Sequence, residues 1–189
     1  MGDRKDWEAR HARGSEPGPP SAWVVAQLAR LRETGRPGRA LDLACGSGRH
    51  TAALVAAGFD AVALDASRNA VHRVAETLGV YGVVADAAHL PFRSGAFDLV
   101  VKTCFLDRGA FAGIARALAP GGHLVAETFR IAQHERTGHP RREFCLADGE
   151  LAELCRAPDV GLSVVDTHES NADDDGVPPA LAGIVARRG

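Results

Sequence analysis

The chain has 189 residues, the size of one ordinary domain. Its 46% apolar and 24% charged residues are the proportions of a globular protein with a buried core. Lys plus Arg (22) against Asp plus Glu (24) leaves a net charge of −2, which excludes the strong overall positive charge on which most nucleic-acid binders rely.

Residues 1–20 are charged, then rich in Gly and Pro, and read as an irregular N-terminal arm; residues 21–189 read as a single domain. No apolar run approaches the roughly 18 to 20 residues of a bilayer span. The N-terminus MGDRKDWEARHARG lacks the apolar stretch of a secretory signal, so the expected location is the cytoplasm, with no membrane partner. Ser21 is placed to cap a helix with Val24, Val25, Leu28 and Leu31 on one face, stopped by Gly35 and Pro37.

Short apolar runs and amphipathic helices then alternate. Strands are expected at 40–43, 61–64, 80–85, 97–101 and 123–128. The helices between them are 49–57, the segment from the Ser67 cap to Leu78, and the segment marked by Phe111, Ile114, Ala115 and Leu118. Residues 130–147 read as a long polar loop, and Asp148 as the cap of a helix carrying Leu151 and Leu154. Strands at 162–166 and 181–185 complete the pattern. Its sum is an α/β fold: a doubly wound, Rossmann-like seven-stranded sheet, mostly parallel, with helices on both faces.

Cys45, Cys104, Cys145 and Cys155 form no C-x-x-C pair and the eight histidines are dispersed, so no metal is expected. The chemistry concentrates after the first strand, in Leu41-Asp42-Leu43-Ala44-Cys45-Gly46-Ser47-Gly48. Glycines there make a sharp turn and let a ligand approach the backbone. Three acids stand at neighbouring strand ends: Asp42 before the turn, Asp65 after the second strand and Asp86 after the third. A P-loop is excluded because nothing matches G-x-x-x-x-G-K-[ST]; a dinucleotide fingerprint is excluded because Thr51 stands where its third glycine belongs. Asp42 is also electrostatically wrong beside a pyrophosphate and suits a ligand with a cationic amino-acid end, such as S-adenosylmethionine.

These segments resemble the class I S-adenosylmethionine-dependent methyltransferases. Leu41 to Gly48 is similar to their first motif, Leu64-Asp65-Ala66-Ser67 to the second, and Ala85-Asp86-Ala87 with Leu90-Pro91-Phe92 to the third; Phe97 to Val100 and Leu118 to Gly122 match later segments. The resemblance implies that Gly46 and Gly48 pass the methionine moiety, Asp65 binds ribose, and Asp86 with Ala87 binds adenine. Lys102 and Thr103 then lie beneath the sulfonium, and Asp42, Ala44 and Ala66 complete the cofactor-binding set. Asp6 to His11 and Phe144 to Leu151 further resemble the small-molecule branch that includes tellurite-resistance methyltransferases, with His11 where an aromatic Tyr is usual.

The resemblance implies transfer of a sulfonium methyl to a small-molecule acceptor: an oxyanion, a thiol or a small metabolite. A base is needed only if that acceptor must lose a proton early, so no catalytic residue is assigned. Acceptor or lid candidates are Trp7 and Arg10 in the arm, Phe105 and Arg108 after strand four, Glu127 after strand five, and His139 in the polar loop; the alternative for each is a solvated or structural side chain. His50 and His72, lying in helices, read as structural. No nucleic-acid partner is expected, since Lys102-Thr103-Cys104-Phe105 replaces the Asn- or Asp-Pro-Pro-Tyr of base methylases. A cofactor-binding module without turnover is the alternative function, and aminopropyl transfer a third.

Overall fold

The computed structural model describes residues 17–33, 35, 37–170 and 179–189. The expected arm residues Trp7 and Arg10 lie outside them. Helix α1 (Ala22–Glu33) leads to β1 (Arg39–Leu43), α2 (Arg49–Ala56), β2 (Asp60–Asp65), α3 (Arg68–Leu78), β3 (Tyr81–Val84) and β4 (Phe97–Thr103). There follow α4 (Ala110–Ala117), β5 (Leu118–Phe129), α5 (Ile131–Thr137), a 3-10 turn (Arg142–Phe144), α6 (Glu150–Arg156), β6 (Leu162–Glu169) and β7 (Leu181–Arg188). One seven-stranded sheet runs β3-β2-β1-β4-β5-β7-β6. Strands β1 to β5 are parallel, and β7 runs antiparallel to both β5 and β6. The order reverses beside β1, between β2 and β4, which opens a crevice at the carboxyl ends of β1 and β4.

Alternation along each strand divides the core between two faces. Leu41, Leu43, Val62, Val100, Leu124 and Ile184 pack with Phe111 and Ile114 of α4 and Leu151 of α6. Ala40, Leu99, Val101, Val125 and Val185 pack instead with Val24 and Leu28 of α1 and Leu54 of α2. Each fully buried Leu or Phe contributes roughly 1.5–3 kcal/mol relative to exposure, so both faces hold the sheet edge rigid where ligands meet it. No helix among the described residues is long and apolar enough to cross a membrane.

Three expectations are corrected. Residues 130–147 are not a structureless loop. Helix α5 and the 3-10 turn lie within them, and the segment is tied at both ends by Ile131 N–H to Leu146 O (2.8 Å) and Leu146 N–H to Phe129 O (2.9 Å). The inward residue of α5 is Gln133, whose Oε1 accepts the Ala180 amide at 3.0 Å, so its buried side is polar and leaves no apolar period. Asp148 does not cap α6 either: Gly149 stands at that N-cap with φ 75°, while Asp148 accepts from Arg130 Nη2 at 2.9 Å. Strand β5 also starts earlier than expected, at Leu118, where it pairs with Phe97; a register shift then absorbs Pro120-Gly121-Gly122.

Candidate functional site

The β1–α2 turn is built from left-handed backbone. Ala44 has φ 61°, Gly46 φ 53° and Gly48 φ 85°. A Cβ on Gly48 would lie 2.7 Å from Val74 Cγ2, so only glycine lets the turn close on α3. Asp65 fixes the turn from the next strand. One carboxylate oxygen accepts the Gly46 amide at 2.9 Å and the other accepts the Ser67 amide at 2.8 Å. Ser67 in turn caps α3 through Ala70 N–H at 3.2 Å. One side chain thus sets the turn after β1 and the turn after β2, with Ala66 between its two bonds.

Asp42 serves a different end. It is buried, accepts the Thr51 hydroxyl at 2.6 Å and also takes the Thr51 amide, so it ties down the first turn of α2 from below. Burial pushes its carboxyl up to about 6, against the pull of Thr51. Asp86 is exposed after β3 and accepts Ala88 N–H at 3.0 Å, while Ala87 is buried in the core.

Lys102 and Thr103, adjacent on β4, face opposite sides of the sheet. The Lys102 side chain is fully buried on the α4 face, with Nζ 5.0 Å from the Phe111 ring centre and 5.7 Å from that of Phe105, and has no hydrogen-bond partner among the described residues. Burial lowers its pKa to about 8. Thr103 faces α2, where its hydroxyl meets His50 Nδ1 at 2.9 Å; His50 Nε2 accepts the Ser21 amide at 3.1 Å. Desolvation, aided by the Arg49 charge, pushes His50 down to about 4. Arg49 reaches the same strand end, donating from Nη2 to Cys104 Sγ at 3.1 Å; Cys104 itself is left-handed, with φ 52°.

Glu127 is the register partner of Thr103 on β5 and is 4% exposed. Burial raises its pKa, opposed by a hydrogen bond from the Ser21 hydroxyl and by the fields of His168 and Arg49. Ser21 Oγ also caps α1 through Val24 N–H at 3.3 Å. The end of β4 and the end of β5 are therefore joined through one residue at the start of α1.

The remaining candidates stand apart from this group. Arg108 binds Glu150 with Nε and Nη2 and also donates to the carbonyls of Glu143 (3.0 Å) and Cys145 (3.2 Å), pinning the start of α6 to the loop after β4. Glu150 accepts Ala147 N–H as well, at 2.8 Å, so the Gly149-Glu150 pair is a helix start. Phe105 is half-buried against the core, and His139 is exposed, with its carbonyl accepting from the Thr137 hydroxyl at 2.6 Å. Among the described residues no three His, Cys, Asp or Glu groups gather as metal ligands. Arg49 and Ser21 carried no signal in the sequence beyond their positions, one directly after the glycine turn and the other as a helix cap.

A methyltransferase domain family matches residues 41–126. An uncharacterised chloroplastic methyltransferase of Arabidopsis thaliana is 31% identical over 182 residues, 81% of this chain and 51% of that protein. The malonyl-[acyl-carrier protein] O-methyltransferase of Geobacter sulfurreducens is 32% identical over 176 residues, covering 78% of this chain and 65% of that protein. The chain thus spans about half to two thirds of these relatives. Among solved structures, N-methyltransferase NodS of Bradyrhizobium japonicum with S-adenosyl-L-homocysteine has a TM-score of 0.74 at 22% identity, covering 98% of this chain and 97% of that one. The [4+2]-cyclase SpnF has a TM-score of 0.69 at 19% identity, covering 97% and 92%. The fold alone therefore does not fix a reaction; the family match and these relatives show that residues 41–126 carry a methyltransferase domain, similar to that of the class I S-adenosylmethionine-dependent methyltransferases.

Proposed function

We propose that this chain binds S-adenosylmethionine at the carboxyl ends of β1 and β2 and passes its methyl group to a small-molecule acceptor over the ends of β4 and β5. The observation that carries this reading is Asp65, which holds the Gly46 and Ser67 amides at once and so presents a left-handed turn and a carboxylate side by side. The donor set fits the group. Asp65 keeps lone pairs for ribose hydroxyls, Asp86 is exposed next to them for an amino group, and no phosphate loop competes. Bound there, the cofactor supplies an already activated sulfonium methyl.

The chain's own work is then positioning. Gly46 and Gly48 keep the backbone free of side chains at the crevice, and Ala44 lines its start. Thr103 marks the acceptor side at the end of β4. Glu127 is the buried carboxylate at the end of β5, and its raised proton affinity suits it to take a proton from an acceptor N–H or O–H. A net charge of −2 favours a small acceptor over a nucleic acid.

Incubating the purified chain with methyl-labelled donor and a fractionated cell extract tests the acceptor class. The expected result is label in the small-molecule fraction with release of S-adenosylhomocysteine. Label confined to protein or nucleic acid contradicts it, and cofactor binding without any label favours a binding module.

A further inference from the structure

A core position that holds a charge without a partner costs stability, and Lys102 is such a position. Its register partners are Leu43 of β1 and Ala126 of β5, both fully buried and apolar. On the α4 face it meets the rings of Phe111 and Phe105, and among the described residues its Nζ has no hydrogen-bond partner. Burial pushes it down only to about 8, so at pH 7 it is still an ammonium. Asp107, a carboxylate whose field reaches that ammonium, is turned into its own loop, where it accepts the Gly109 amide at 2.9 Å. The Cys155 thiol is coupled to it as well, but burial pushes that thiol up to about 11, so it offers no counter-charge.

A second orphan lies on the same face. Thr128 is 1% exposed, and its hydroxyl has no hydrogen-bond partner among the described residues. Alternation places Thr128 on the side of Ala126, which is the side of Lys102. The two residues stand one strand spacing across and two residues along, about 8 Å from backbone to backbone. Each is the penultimate residue of its strand, so both lie at the crevice end of the sheet. Buried polar atoms are paired almost everywhere in native proteins, and two orphans on one face mark a place whose partner comes from outside. Of the two rings over Nζ, Phe111 is fully buried and Phe105 only half-buried, so solvent reaches this wall from the loop after β4.

We propose that Lys102, assisted by Thr128, recognises an ionised hydroxyl carried on an aromatic ring of the methyl acceptor, resting on the reading of the β4 and β5 ends as the acceptor site. An ammonium is a point charge that suits a single oxygen, where a carboxylate would call for the fork of an arginine. The Thr128 hydroxyl donates to the same oxygen, and Phe105 and Phe111 give flat apolar contact to the ring that bears it. An acceptor lying across the strand ends then has Thr103 and Glu127 beneath one edge and Lys102 and Thr128 beneath the other. The uncompensated charge is kept for specificity at a cost in stability.

The probe is 4-nitrophenol, whose ionised form absorbs at longer wavelength than its neutral form. The control is 4-nitroanisole, the same ring without an ionisable hydrogen. Each is titrated into the full chain with and without S-adenosylhomocysteine, at a pH where free 4-nitrophenol is mostly neutral. The expected result is binding with a phenolate spectrum and a preference of about tenfold or more over 4-nitroanisole. Lys102→Met, which keeps the packing, loses the spectrum and the preference but binds S-adenosylhomocysteine as wild type does. Thr128→Val lowers the preference about threefold, and Thr128→Ser restores it. The proposal is overturned if wild type binds 4-nitrophenol in neutral form, no better than 4-nitroanisole, or not at all. It is overturned equally if folded Lys102→Met keeps the preference or loses S-adenosylhomocysteine. Circular dichroism establishes folding, and Thr128→Val decides if Lys102→Met does not fold. Failure of wild type to bind S-adenosylhomocysteine refutes the cofactor reading instead. In that case Lys102-dependent phenolate binding to the unloaded chain upholds the assignment, and its absence overturns it.

Discussion

His50 Nδ1 stands 2.9 Å from Thr103 Oγ1 while its Nε2 accepts the Ser21 amide at 3.1 Å, so the ring joins the start of α1 to the end of β4 only as a neutral imidazole. Protonation would aim a hydrogen at an amide that has no lone pair to offer.

This arrangement has a definite pH signature. The folded pKa of His50 is lowered from 6.5 to about 4, so the folded state binds fewer protons than the unfolded chain in that window. The contribution is fully present above pH 6.5 and is lost as pH falls toward 4. Its ceiling is about 3 kcal/mol from the size of the shift. Urea denaturation at pH 7 and pH 5 should show wild type losing more stability than His50→Asn over the same step.

Asp42 predicts the opposite slope. Its carboxyl is raised from 3.8 to about 6, so the folded state holds the proton more tightly, and stability falls as pH rises through that window. Asp42→Asn removes the charge, and the Thr51 hydroxyl can turn to accept from the amide. The variant should be more stable than wild type at pH 7, with the gap closing by pH 4. Equal pH slopes in the two proteins would show that burial does not govern this group.

Lys102 is an ammonium held between Phe105 and Phe111 with no hydrogen-bond partner among the described residues. Its pKa is lowered from 10.5 to about 8, so the penalty is fully present below pH 8 and is released as pH rises toward 10.5. Lys102→Met keeps the packing and removes the charge. It should stabilise the fold at pH 7 by about 1–3 kcal/mol, measured as a higher melting temperature, with a smaller gain at pH 10.

Arg108 predicts a local effect. It holds Glu150 and the carbonyls of Glu143 and Cys145, and it depresses the Glu150 carboxyl. The pair is partly solvated, so Glu150→Gln should cost less than about 1 kcal/mol globally. Hydrogen exchange should nevertheless speed up at Ala147 and through the first turn of α6, leaving β4 and β5 unchanged.

The sheet was legible because alternating strands and helices leave few topologies, and the glycine turn with Asp65 because local spacing carries it. Helix α5 was hidden by its polar inner residue, Gln133. The Arg49–His50 grip was hidden for two reasons. In a chain with 20 Arg and 2 Lys a single Arg carries little signal, and the partners of His50 lie 29 and 53 residues away. The division between Lys102 and Thr103 was within reach, since neighbours on a strand must face opposite sides.

The most direct test of the central claim is calorimetric titration of S-adenosylhomocysteine into wild type and Asp65→Ala. The account predicts roughly micromolar or tighter binding to wild type, weakened at least about tenfold in the variant as both amide anchors and the carboxylate are lost. Binding of equal strength in the two folded proteins, or none to wild type, would contradict it.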